Sequence, residues 1–148
     1  AIPHISIATD VIVGFPGETD RQFENTLNLL QELRFDVVHV AAYSPRPGTV
    51  AARRFMDSVP AAVKQERLRR IESLQESIAA DINAAYATRT VEVLVQGTRR
   101  GKWFGRTRSH KLVFFESDVA LLGQAVHVAI FKTSPWALQG NVVYNSTV

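Results

Sequence analysis

Cysteine is missing from all 148 residues. Its absence excludes disulfides and any thiolate-held zinc or iron–sulfur site built by this chain alone. The four histidines, His4, His39, His110 and His127, are scattered without ligand spacing, so no metal site is expected. No apolar run approaches the roughly 18 to 20 residues that span a bilayer. The start has no basic stretch leading into an apolar one, as a signal peptide would. No membrane partner is therefore expected, and a cytoplasmic location is. Methionine occurs once and the chain opens on Ala1-Ile2-Pro3-His4-Ile5, which reads like the interior of a domain. A piece of a longer protein is the expectation. Acidic residues are scarce only at one end: residues 87–148 hold three Asp and Glu against eight Lys and Arg, whereas residues 1–86 hold eleven against nine. An acidic stretch followed by a basic one argues for two units, residues 1–86 and 87–148, the second meeting a polyanion.

What is present is organised around Thr9-Asp10-Val11-Ile12-Val13-Gly14-Phe15-Pro16-Gly17-Glu18-Thr19. Val11 to Val13 is a β-branched run suited to a buried strand. Gly14 and Gly17 fit a sharp turn or a close approach to a ligand, with Pro16 stiffening the bend. Thr19 and Gln22 have capping-box spacing, and residues 20–34 carry Phe23, Leu27, Leu30 and Leu33 near a helical period. Val37 to Tyr43 reads as a second strand, which makes a βαβ unit with ligands expected at the strands' carboxyl ends. A purely structural role for the Gly-Phe-Pro-Gly turn remains open. Walker and G-x-G-x-x-G spacings are not met, so a phosphate loop is not expected.

Tyr43-Ser44-Pro45-Arg46-Pro47-Gly48-Thr49 follows, where two prolines hold Arg46 in an extended loop suited to a carboxylate or phosphate. A solvated Arg46 is the alternative. Ser58 to Tyr86 reads as one long helix with Ile71, Leu74, Ile78, Ile82 and Ala85 on one face. Lys64, Glu66, Arg67, Arg69 and Arg70 are expected on solvated faces.

Beyond Thr88 the period becomes two. Strands are expected around Val91–Val95, Phe104–Thr107, Leu112–Phe115, Ala125–Ile130 and Leu138–Val143, punctuated by glycines. Five short strands in about sixty residues read as a small OB-like β-barrel. Arg99, Arg100, Lys102, Arg106, Arg108 and Lys111 cluster there with Trp103 and Phe104 between them. Cations for phosphates beside aromatic faces for unstacked bases suit RNA. An ordinary barrel surface with Trp103 partly buried is the alternative.

The Asp10–Thr19 and Tyr43–Thr49 motifs resemble those of the radical S-adenosylmethionine methylthiotransferases. Gly105-Arg106-Thr107-Arg108, Leu122-Gly123-Gln124 and Leu138-Gln139-Gly140 are similar to the TRAM domain that ends those enzymes. The resemblance covers nearly the whole chain, and Arg46-Pro47 resembles the branch acting on tRNA rather than the one acting on a ribosomal protein. It implies an α/β plus all-β chain: residues 1–86 as the last part of an incomplete (β/α) barrel, and residues 87–148 as an RNA-binding TRAM barrel. It implies a monomeric parent enzyme that adds a methylthio group to a modified adenosine beside the tRNA anticodon. Its cofactors would be S-adenosylmethionine and two [4Fe–4S] clusters. Ile12, Val13, Gly14, Tyr43 and Arg46 would border the S-adenosylmethionine pocket, while the cluster cysteines would lie upstream, leaving this chain inactive alone. A stand-alone RNA-binding module is the competing reading, and bare barrel strands would invite self-association.

Overall fold

The computed structural model describes residues 5–143; His4 lies outside them. Contacts within the chain separate residues 7–78 from the unit that begins at Ala79.

In residues 7–78, β1 (Ala8–Val13) pairs in parallel with β2 (Val37–Ala42), and α1 (Asp20–Leu33) connects them. The expected capping box forms: Thr19 accepts from the Gln22 amide, and the Gln22 side chain accepts from Thr19 N–H. One face of the strand pair, including Val11, Val13, Val38 and Val40, packs with Phe23, Leu27 and Leu30 of α1. Ile71 and Leu74 of α3 (Ala61–Ala84) complete this core. The other face, with Asp10, Ile12, His39 and Ala41, is exposed. A short helix, α2 (Val50–Arg54), capped by Thr49, follows the proline-flanked arginine, in a stretch for which the sequence pattern carried no expectation.

From Thr90 five strands close a barrel: β3 (Thr90–Arg99), β4 (Lys102–Arg106), β5 (Leu112–Glu116), β6 (Ala125–Thr133) and β7 (Leu138–Val143). Their order is β3-β4-β5-β7-β6, with β6 returning to β3 and only β5–β7 parallel. This is a mixed, OB-like barrel. The alternation expected from sequence holds: Val93, Val95, Val113, Phe115, Val128, Ile130 and Leu138 point inward and form the core with Leu121. Gly105 and Gly140 also face inward, where an added Cβ would fall on the carbonyl oxygens of Leu94 and Ala129. Glycine here permits the close backbone approach that closes so small a barrel.

Candidate nucleic-acid interface

The β3–β4 connection is a tight turn between Arg99 and Lys102, with Arg100 (φ 51°) and Gly101 (φ 78°) both left-handed. Two such central residues twist a hairpin with its strands. The result is an exposed basic tip formed by Arg99, Arg100 and Lys102. Lys102 is ion-paired with Glu116 at 3.1 Å.

Down the hairpin, strand parity decides which side chains meet solvent. Gly105 opposes Val113 and Trp103 opposes Phe115 on the inner side, so Phe104 opposes Phe114 on the outer side. The outer rungs across β4 and β5 are therefore Lys102–Glu116, Phe104–Phe114 and Arg106–Leu112. The Phe104 and Phe114 ring centroids lie 6.3 Å apart. A bulge between Val95 and Gly97 places Gly97 beneath the Phe104 ring, 3.3 Å from where a Cβ would stand. In OB-like barrels this pair of strands is the face that takes oligonucleotides.

The seven residues singled out from sequence divide accordingly. Arg99 and Arg100 are exposed at the turn, as a phosphate contact needs. Arg106 is half-buried and donates to the His110 carbonyl at 2.9 Å, which lays its guanidinium along the outer face. Arg108 is exposed but paired with Glu92 at 3.0 Å. Two differ from expectation. Trp103 is half-buried against the barrel core and donates its indole N–H to the Ser117 carbonyl at 3.1 Å, so its faces are not an open stacking surface. Lys111 is buried at 9% exposure, and its backbone closes the β4–β5 turn through Thr107. Phe104 lies on the outer side instead, half-buried where its ring packs over Gly97 and beside Phe114. Sequence reasoning passed over Phe114, whose parity relative to Phe115 marks it as outward.

Around the carboxyl ends of β1 and β2, the backbone groups of Gly14 and Tyr43 are already bonded within the fold, while Ile12 and Arg46 are exposed. Gly14 is left-handed (φ 71°), and its missing Cβ is required by the Lys64 stem that crosses there. Its N–H donates to Glu18 Oε2 at 2.6 Å, and the same oxygen receives Arg67 Nη1 at 2.6 Å. Arg67 also reaches Asp20 at 2.7 Å. Lys64 Nζ holds both Asp57 oxygens at 2.6 and 2.7 Å and donates to the Tyr43 carbonyl at 3.1 Å. The Tyr43 N–H goes to the Val13 carbonyl at 2.8 Å. Lys64 and Arg67 are thus 6% and 5% exposed rather than solvated, because α3 turns them onto these two loops. Farther along α3, the hydrogen bonds that Arg70 donates to the Glu24 carboxylate raise the guanidinium's pKa above its ordinary value.

The backbone groups of Gly14 and Tyr43 therefore offer no open donors. Val13 is fully buried; what remains accessible is the Ile12 side chain, the Arg46 loop and the edge of the Phe15–Tyr43 ring pair, whose centroids are 5.2 Å apart. These fit one apolar edge of a nucleoside-sized ligand and one cation, not an enclosed pocket. The [4Fe–4S] groups do not fit this chain, which has no thiolate to hold them.

Residues 84–143 match the TRAM domain family model. Over nearly its full length the chain is similar to tRNA-2-methylthio-N(6)-dimethylallyladenosine synthases. It is 54% identical to that of Chloroflexus aurantiacus, across 95% of this chain and 31% of that protein. It is 50% identical to that of Dehalococcoides mccartyi strain 195, across 97% and 34%, and 52% identical to that of Roseiflexus sp. strain RS-1, across 95% and 30%. The chain spans about a third of the length of the curated relatives it matches.

Proposed function

We propose that this chain, a TRAM-bearing segment of the methylthiotransferase family, is the C-terminal, tRNA-docking part of an enzyme that adds a methylthio group to a modified adenosine near the anticodon. The observation that carries the reading is the arginine turn Arg99–Arg100 standing beside the outward Phe104–Phe114 pair on an OB-like barrel. Charge gathers the phosphates, and the rings take bases that are not stacked in a duplex.

In this reading residues 87–148 dock RNA, and residues 1–86 are the last strands and helices of a (β/α) radical S-adenosylmethionine barrel in a cytoplasmic, monomeric parent. The exposed strand face and the two fastened loops of residues 7–78 support that role. Ile12, Tyr43 and Arg46 would hold one edge of S-adenosylmethionine, with Val13 and Gly14 supporting them from behind. That cofactor, with clusters held elsewhere in the parent, would supply the sulfur-insertion chemistry. This chain's residues contribute binding and orientation.

The test is binding of the 148-residue chain to unmodified tRNA across a salt series, with duplex DNA of similar length as the comparison. Tighter, salt-sensitive binding to tRNA is expected. Equal or absent binding at low salt would defeat the tRNA assignment.

A further inference from the structure

The barrel carries a second aromatic surface away from its basic hairpin. In the β6–β7 connection, Ser134 N–H donates to the Ala137 carbonyl at 2.9 Å, and Ala137 N–H donates to Ser134 Oγ at 3.0 Å. Asn83 Nδ2, from the last turn of α3, donates to the Ser134 and Pro135 carbonyls at 2.8 and 3.1 Å. So closely fastened a loop nevertheless presents Trp136 at 64% exposure. At the β6 bulge between Ile130 and Lys132, Phe131 is 61% exposed. A single exposed apolar side chain is ordinary, whereas an exposed apolar patch is informative, so the question is whether these rings join a larger surface.

Strand register makes this surface continuous with the first. Phe104 opposes Phe114, Phe114 opposes Gln139, and Gln139 opposes Lys132, which follows Phe131. Gln139 lies between the buried Leu138 and Gly140, so it shares the outer face. Four neighbouring strands at a spacing of about 4.8 Å give a band on the order of 14 Å across. It offers rings at both ends, an amide and an ammonium between them, and no carboxylate at these positions.

We infer that the RNA path runs crosswise from Phe104 and Phe114 over Gln139 to Lys132, Phe131 and Trp136, and that its occupant is a run of unpaired nucleotides. This deepens the tRNA-docking reading and rests on it. Every unpaired base has a face to stack, whereas a duplex would present only backbone to these rings. The rigid loop spares the ordering cost that a flexible one would add on binding.

The test compares the full chain with Phe131→Ala, Trp136→Ala and Trp136→Phe, on a short unstructured RNA and on an RNA duplex of equal length. Circular dichroism and melting temperature verify folding, which these exposed positions should leave intact. Each alanine variant should lose about tenfold in affinity for the unstructured RNA, the scale of one stacked base, and little for the duplex. Trp136→Phe should retain most of the wild-type affinity. Unchanged affinity for unstructured RNA would overturn the inference while leaving the arginine turn as the RNA contact. Equal losses on both RNAs would also overturn it, as would loss of self-association in sedimentation in place of lost RNA binding. Failure of the wild type to bind either RNA would remove the docking reading itself, and this inference with it.

Discussion

Arg67 Nη1 donates to Glu18 Oε2 at 2.6 Å across 49 positions of sequence, with the arginine side chain 6% and the glutamate side chain 14% exposed. Removing that carboxylate leaves the Gly14 N–H without its acceptor and the buried Arg67 with only the exposed Asp20 and the Glu18 carbonyl as partners.

Glu18→Ala should therefore cost about 3 kcal/mol in urea unfolding of residues 7–78, followed through the helical signal of α1 and α3. Replacing both partners with apolar residues, Glu18→Leu with Arg67→Met, should cost less than the single change. A single-variant loss under about 1 kcal/mol would mean the pair is solvated.

Gly105→Ala should destabilise the barrel by about 3 kcal/mol, because its Cβ would meet the Leu94 carbonyl, which cannot swing aside as a side chain can. Gly101→Ala meets nothing within 4 Å and should cost only about 1 kcal/mol, from its left-handed φ. Both are read from tryptophan fluorescence in urea.

Trp103→Ala and Phe104→Ala should separate stability from binding. Loss of Trp103 removes core contacts and the bond to Ser117, so the melting temperature should fall while the folded fraction keeps its affinity for RNA. Loss of Phe104 should weaken the RNA affinity of the folded fraction about tenfold, with a smaller fall in melting temperature from its half-buried packing on Gly97 and Phe114.

Arg99→Ala and Arg100→Ala should each lower the slope of log affinity against log salt by about 0.7, one phosphate contact on single-stranded RNA. Arg108→Ala should lower it less, because Glu92 already offsets that charge.

Much of the barrel was legible from its sequence, since the inward valines of β3 alternate with polar residues and glycines mark the turns. The capping box at Thr19 was equally plain, because its hydrogen bonds are local. What was not legible depended on partners distant in sequence. Adjacent Trp103 and Phe104 must face opposite ways, but only pairing of Trp103 with Phe115 and of Gly105 with Val113 decides which turns inward. Lys64 and Arg67 look like surface charge until the loops holding Asp57 and Glu18 are folded onto α3. Gly14 reads as room for a ligand, yet the space is taken by the Lys64 stem. Trp136 stands apart from the basic cluster, and only the fastened β6–β7 turn shows that its ring is exposed.

The most direct test of RNA docking is an amide and side-chain NMR titration of the 148-residue chain with an RNA stem-loop that has an unpaired loop. Shifts should concentrate at Arg99, Arg100, Phe104, Arg106 and Phe114, with Trp103 and the β1–α1 turn nearly still. Shifts centred on residues 7–78, or none on the outer face of β4 and β5, would contradict the assignment of that face to RNA.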